Sequence, residues 1–172
     1  MQVSKQASVV MLMYLLEHKF SAEVKLANYN YYEARTLHDS SLSLSTHAVL
    51  ANDLGNSKLS YSLYRQAAAI DLGTDMKSSD HGIHAASLGG VWQIIVCGFG
   101  GVRMVGGKLR IEPKLPGQIR QISYPVYWKN NLLEVIVNQE SLTVNNKGSK
   151  SINFFNLGKE YKLNSGESVT IK

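Results

Sequence analysis

Gly106-Gly107-Lys108-Leu109-Arg110-Ile111-Glu112 is where the chain changes character. Before the glycine pair, apolar residues recur at helical spacing. From Lys108 onward they alternate with polar ones, the two-residue period of a half-buried strand. The same alternation returns over 121–127, 132–137, 141–144, 152–154 and 168–171. Asn130-Asn131, Asn145-Asn146-Lys147-Gly148 and Asn164-Ser165-Gly166 separate these runs as turns. Upstream, helices are predicted over 3–18, from the Ser21 N-cap with Glu23 in its first turn, over 41–54 with Gly55 as the stop, over 57–71, and over about 85–100. Tyr31–Ser41 and Gly73–Ile83 lack a sustained period and read as polar loops. The fold class is therefore α then β: helices over residues 1–105, then a small antiparallel β-sandwich over 106–172.

Composition narrows the function. The chain has 172 residues, of which 44% are hydrophobic and 18% charged, a globular composition. Its formal charge is +5, but residues 1–100 carry −1 and residues 101–172 carry +6. The basic residues of the second part fall singly between strand-like runs, without the clustering and aromatic interleaving of a nucleic-acid surface. Nucleic acid is not an expected partner. Cys97 is the one cysteine, which excludes a disulfide scaffold and fits a reducing cytoplasm. The apolar run Val9–Leu16 is too short to cross a bilayer, which takes roughly 20 residues, so no membrane association is expected. Several helices are apolar nearly all round and belong inside a larger helical assembly, expected to extend upstream of Met1. The stretches 7–16 and 88–99 are expected to form an apolar surface that makes the isolated chain associate.

Three clusters carry chemistry. Lys5-Gln6 precedes an apolar helix; it reads either as an exposed first turn or as an ammonium and an amide gripping sugar hydroxyls. Arg35-Thr36-Leu37-His38-Asp39-Ser40-Ser41-Leu42-Ser43 gathers a cation, an imidazole and hydroxyls at a helix opening. Free N–H groups there suit an anion, although Asp39 or Ser40 also reads as a plain N-cap. Ser, His and Asp this close in sequence cannot form a hydrolytic triad. The third cluster, Asp80-His81-Gly82-Ile83-His84, again opens a helix. His81 and His84 lack a third spaced ligand, so no metal is expected.

These motifs, Tyr31-Tyr32-Glu33-Ala34-Arg35-Thr36-Leu37-His38-Asp39-Ser40-Ser41-Leu42-Ser43, Lys5-Gln6, and His81-Gly82-Ile83-His84-Ala85-Ala86-Ser87-Leu88-Gly89-Gly90-Val91-Trp92-Gln93 with Gly98-Phe99-Gly100-Gly101-Val102-Arg103, resemble glycoside hydrolase family 65. That is the family of maltose, trehalose, kojibiose and nigerose phosphorylases. The resemblance runs from about Val3 to Val135. It implies the C-terminal part of an (α/α)6 barrel followed by the β-sandwich. It further implies an inverting, maltose phosphorylase-like enzyme that splits an α-glucosidic bond with inorganic phosphate, giving β-glucose 1-phosphate and glucose.

On this resemblance Ser40, Ser41 and His84 bind phosphate, Arg35, His38 and Gly82 support them, and Lys5 and Gln6 hold the glucosyl residue. The general acid, a glutamate, lies upstream, so no catalytic residue is assigned here and the chain alone is expected to be inactive. No cofactor is implied; phosphate is the co-substrate, the disaccharide is the other small-molecule partner, and homodimer formation is open. Two alternatives compete: an inverting α-glucoside hydrolase on the same scaffold, and a non-catalytic fragment or interaction module. A water-using inverting enzyme needs a second carboxylate roughly 6.5–9.5 Å from the acid, and Glu33, Asp39 and Asp80 are the candidates in these loops.

Overall fold

The computed structural model of the protein describes residues 3–72 and 82–172. Two compact units follow one another, one ending at Gly98 and the other beginning at Phe99. The first is helical: α1 (Ser8–Leu15), α2 (Ala22–Glu33), α3 (Ser43–Asp53), α4 (Ser57–Ala69) and α5 (Ala85–Gln93). The second holds eight strands: β1 (Val102–Val105), β2 (Lys108–Ile111), β3 (Gln121–Trp128), β4 (Asn131–Asn138), β5 (Leu142–Asn146), β6 (Ile152–Asn156), β7 (Lys159–Leu163) and β8 (Ser168–Ile171).

α3 is the spine of the helical unit, buried from Ser43 through Asn52. Leu50 and Ala51 pack with Val10 and Met13 of α1 and Tyr29 of α2. Small residues let other helices come close. Gly90 of α5 leaves no room for a side chain, since a Cβ there would lie 2.5 Å from Ser45 Oγ. That oxygen is itself pinned by donating to Leu42 O at 3.2 Å.

The expected helix over 3–18 is corrected. Ser4 donates its amide to Arg35 O at 2.9 Å and accepts at its carbonyl from Leu37 N at 3.4 Å, so the chain runs extended before α1 begins. Only one side of α1 is covered: Val10, Met13 and Tyr14 are buried, while Met11, Leu12, Leu15 and Leu16 are exposed. An all-apolar run carries no polar face to select the buried side. α2 starts at the expected cap, Ser21 Oγ accepting from Val24 N at 3.4 Å. It runs on through Tyr31–Glu33, expected as loop, because side chains satisfy its last carbonyls. Arg35 Nη1 donates to Tyr31 O at 2.9 Å and Thr36 Oγ1 to Tyr32 O at 2.8 Å. The expected helix over 85–100 ends its α-helical part at Gln93 and continues as a π-helical segment, Ile94–Phe99. Of the expected loop Gly73–Ile83, residues 73–81 lie outside the described residues. Among the described residues no helix is long and apolar enough to cross a membrane.

The strand unit comprises two four-stranded sheets, ordered β1-β2-β6-β7 and β3-β4-β5-β8. Alternate residues are buried, Leu133, Val135 and Val137 from one sheet and Leu109, Ile111 and Phe154 from the other. One pairing departs from the expected antiparallel pattern: β2 runs parallel to β6. β3, β4 and β5 intervene between them in sequence, and a crossover of that length permits a parallel neighbour. Two strands were not expected, β1 and β7, and two turns move. The β3–β4 hairpin turns on Lys129 and Asn130, both at positive φ, which is the backbone a tight two-residue hairpin needs. Asn131 is instead buried in β4 and donates to Asn146 Oδ1 at 2.6 Å. Asn146, also expected in a turn, is buried in β5 and donates to Leu163 O at 3.2 Å.

Gly90→Ala is expected to destabilise the helical unit by about 1–3 kcal/mol through overpacking against Ser45. Combined with Ser45→Gly it should cost clearly less than the two single changes added together, read from denaturant unfolding. Strict additivity would contradict the close contact.

Candidate oxyanion and sugar site

The Ser4–Thr36 bridge sets Lys5 and Gln6, both exposed, immediately beside the loop that carries Arg35, His38, Ser40 and Ser41. Two of the three sequence clusters therefore meet through backbone hydrogen bonds. Ser40 and Ser41 form the turn ahead of α3, whose cap position is Leu42 rather than either expected residue. Ser40 Oγ accepts from Leu42 N at 3.4 Å, and Ser40 O accepts from Ser43 N at 3.3 Å. Arg35 lies back along α2, its guanidinium 3.8 Å from the Tyr31 ring centroid.

The third cluster opens α5. Gly82 takes a positive φ of 99°, and His84 sits at the cap position. The His84 amide donates to Asp71 Oδ2 at 2.9 Å, and its Nδ1 lies 2.7 Å from Asp71 Oδ1. A carboxylate only accepts, so Nδ1 carries the proton and Nε2 is the atom left for a ligand. The hydrogen bond from His84 holds the Asp71 carboxyl below its usual range. α3 and α5 meet at Ser45 and Gly90. At about 1.5 Å per residue, both helix openings lie within about two turns of that contact.

Behind the first loop lies a cluster centred on Glu33, the last residue of α2. Glu33 Oε2 contacts Nδ1 of His47, and Glu33 Oε1 lies 3.5 Å from Nε2 of His38. His47 is completely buried, with its ring edge-on to His38 at 4.8 Å between centroids. Burial alone would push the Glu33 carboxyl up; hydrogen bonds from His38 and His47 outweigh it and hold it down at about 2. Burial, then the charge of Glu33, push the Tyr29 hydroxyl far above its ordinary range.

Glu33, His38 and His47 also form the one metal-capable trio found among the described residues, their ligand atoms within 4.8 Å of one another. Glu33 and His47, however, touch as hydrogen-bond partners, closer than the roughly 3.3 Å separating two ligands of one tetrahedral zinc. The expected pair with His81 cannot be placed, since His81 lies outside the described residues, as does Asp80.

His38, Lys58, Arg65, Tyr61 and Gln66 line a cavity of about 550 Å³ running along α4, which ends just before Asp71. Its cationic lining suits an anionic or hydroxyl-rich ligand.

The glycosyl hydrolase family 65 central catalytic domain matches residues 1–93, and the family's C-terminal domain matches residues 102–163. The chain belongs to glycosyl hydrolase family 65. It is 40% identical to the kojibiose phosphorylase of Halothermothrix orenii over 98% of its own length and 22% of that protein. It is 44% identical to the kojibiose phosphorylase of Thermoanaerobacter brockii, over 94% of this chain and 21% of that one. Against the alpha,alpha-trehalose phosphorylase of the same organism the identity is 35%, over 96% and 21%. A solved kojibiose phosphorylase-like structure from the human microbiome superposes with a TM-score of 0.89 at 33% identity, over 99% of this chain and 25% of that chain. The chain thus spans about a fifth of the length of the curated relatives it matches.

Three participants escaped the sequence reading: His47 at the site, Asp71 as the partner of His84, and the α4 cations. His47 shares helical spacing with Leu44, Leu50 and Ala51 and so passes for part of an apolar face. Asp71 stands 13 residues from His84, beyond any local motif.

The depressed Glu33 carboxyl links stability to pH. Its contribution is complete above the ordinary value of 4.5 and is lost as the pH falls from there toward about 2. Discounted for partial exposure, it amounts to about 1–2 kcal/mol. Glu33→Gln should flatten the acid limb of the stability–pH curve over that interval; an acid limb as steep as the parent's would contradict the assignment.

Proposed function

We propose that the complete protein containing this chain is an inverting disaccharide phosphorylase, transferring a glucosyl residue from an α-linked glucose disaccharide to inorganic phosphate and releasing β-glucose 1-phosphate. Ser40, Ser41 and His84 bind the phosphate, with Arg35, His38 and Gly82 supporting their loops, and Lys5 and Gln6 hold the sugar. The observation that carries this reading is the fixing of His84 by Asp71 at the opening of α5, a helix packed against the one that Ser40 and Ser41 introduce. With Nδ1–H given to Asp71, Nε2 of His84 is held in one orientation: in the neutral ring it accepts from the hydroxyl of hydrogen phosphate, and in the protonated ring it donates to a phosphate oxygen, joined by the two serine hydroxyls.

Phosphate brings its own charge and nucleophilicity, so its site needs donors and no base. Water needs a carboxylate to take its proton. Of the carboxylates considered for that role, Glu33 is engaged by two imidazoles and held at about 2, too weak a base to activate water. This removes Glu33 as the base of a hydrolase; Asp39 is exposed in the loop, and Asp80 lies outside the described residues. The helices of the first unit belong to an (α/α)6 barrel in this reading, supported by the match to the family's catalytic domain. Apolar residues left exposed on α1 and α5, such as Met11, Leu15, Leu88 and Trp92, are what such a barrel would cover. The general acid is supplied from outside this chain, so the chain alone is inactive. Of the substrates named for the relatives, kojibiose ranks ahead of trehalose by identity, and both rank ahead of the maltose first expected.

In the complete protein, Ser40→Ala and His84→Ala should each raise the phosphate KM by about ten- to a hundredfold while changing the disaccharide KM little. Glucose release from kojibiose, trehalose or maltose at equal rates with and without phosphate would overturn the proposal in favour of hydrolysis.

A further inference from the structure

We infer that Glu33 is a positioning residue for the oxyanion loop, holding Ser40 in place through His38 and Ser43; this rests on the function proposed above. His38 sits at a φ of 53°, the left-handed region that costs a residue with a side chain about 1–2 kcal/mol, so its surroundings must hold it there. Three groups do so. Glu33 Oε1 faces its Nε2 at 3.5 Å, His47 packs edge-on against its ring, and its Nδ1 lies 3.2 Å from Ser43 Oγ.

Ser43 Oγ in turn donates to Ser40 O at 3.2 Å. Its one proton is thereby used, so it accepts from His38 Nδ1–H. With the His38 ring protonated on both nitrogens, a line of polar contacts runs from the carboxylate of α2, across the 3.5 Å ion-pair step to Nε2, to the backbone of Ser40. A second line fixes the other end of the loop. His47, seated against Glu33, meets Thr36 Oγ1 through Nε2 at 3.5 Å, and Thr36 Oγ1 donates to Tyr32 O at 2.8 Å. Side-chain contacts at 36, 38 and 40 thus lead back to one carboxylate, beside the backbone bonds that Ser4 makes to Arg35 and Leu37.

Arg35, the other charged side chain of the loop that lies against α2, is turned onto Tyr31. Glu33 itself need not touch either substrate, and its engagement by two rings leaves it no role as a base. Its part is to set where Ser40 stands.

The test is steady-state kinetics of the complete protein, with phosphate and disaccharide varied separately. Glu33→Gln keeps the shape of the side chain and removes its charge; it should raise the phosphate KM about tenfold and leave the disaccharide KM within about twofold. Glu33→Asp, which withdraws the carboxylate by one methylene, should give a smaller rise in the same direction and serves as the reading if Glu33→Gln does not fold. A thermal midpoint lowered in both variants with the two KM values unmoved, or raised together, would overturn the inference and leave Glu33 merely structural. Ser40→Ala and His84→Ala run alongside. If they raise the phosphate KM and the Glu33 variants do not, this inference alone fails; if neither set does, the phosphate site itself is wrong.

Discussion

A helix buried along its whole length must find a partner for every polar side chain it carries, because an unsatisfied buried donor or acceptor costs about 1–3 kcal/mol. α3 is such a helix, and that constraint organises the helical unit. Ser43 is answered by Ser40 O, Ser45 and Thr46 by Leu42 O, His47 by Glu33, and Asn52 by Gly98 O. The partners of Ser43, Ser45, Thr46 and His47 sit in the α2–α3 connection or at its threshold. The burial of α3 therefore dictates the shape of the loop ahead of it, and the same loop holds the hydroxyls proposed to receive phosphate. In the proposed function, one set of hydrogen bonds would meet a structural demand and a functional one.

The two helix openings are furnished differently. At α5, one carboxylate takes both the amide and the ring N–H of His84, which fixes the imidazole's orientation and tautomer together. At α3, backbone contacts set the serines while their side chains stay only partly buried. In the proposed site the imidazole would be the rigid element and the serine hydroxyls the adaptable one. Positive charge for that proposed site would come from Lys58 and Arg65 along α4, since Asp71 already occupies the opening of α5.

The period change at Gly106-Gly107 was legible because glycine pairs and strict alternation report local conformation directly. The strands that escaped, β1 and β7, did so for different reasons. Val102–Val105 is only four residues long, with Arg103 the one that is buried, so it shows no apolar alternation, whereas Lys159–Leu163 is mostly charged and buries little beyond Leu163. Asn131 and Asn146 read locally as turn residues, but each is a bonded strand residue, Asn131 to Asn146 within its own sheet and Asn146 to Leu163 of the other. At the site, the serines and His84 stood out because they lie beside helix openings. Their supports did not, since His47 hides within an apolar spacing and Asp71 reaches its partner only through the fold.

The most direct test of the account is a crystal structure of the complete protein grown with inorganic phosphate. The account predicts the anion within hydrogen-bonding distance of the Ser40 and Ser41 hydroxyls and of His84 Nε2, with His84 Nδ1 still on Asp71. Phosphate bound elsewhere, or His84 Nε2 and the two serines facing separate spaces, would contradict it.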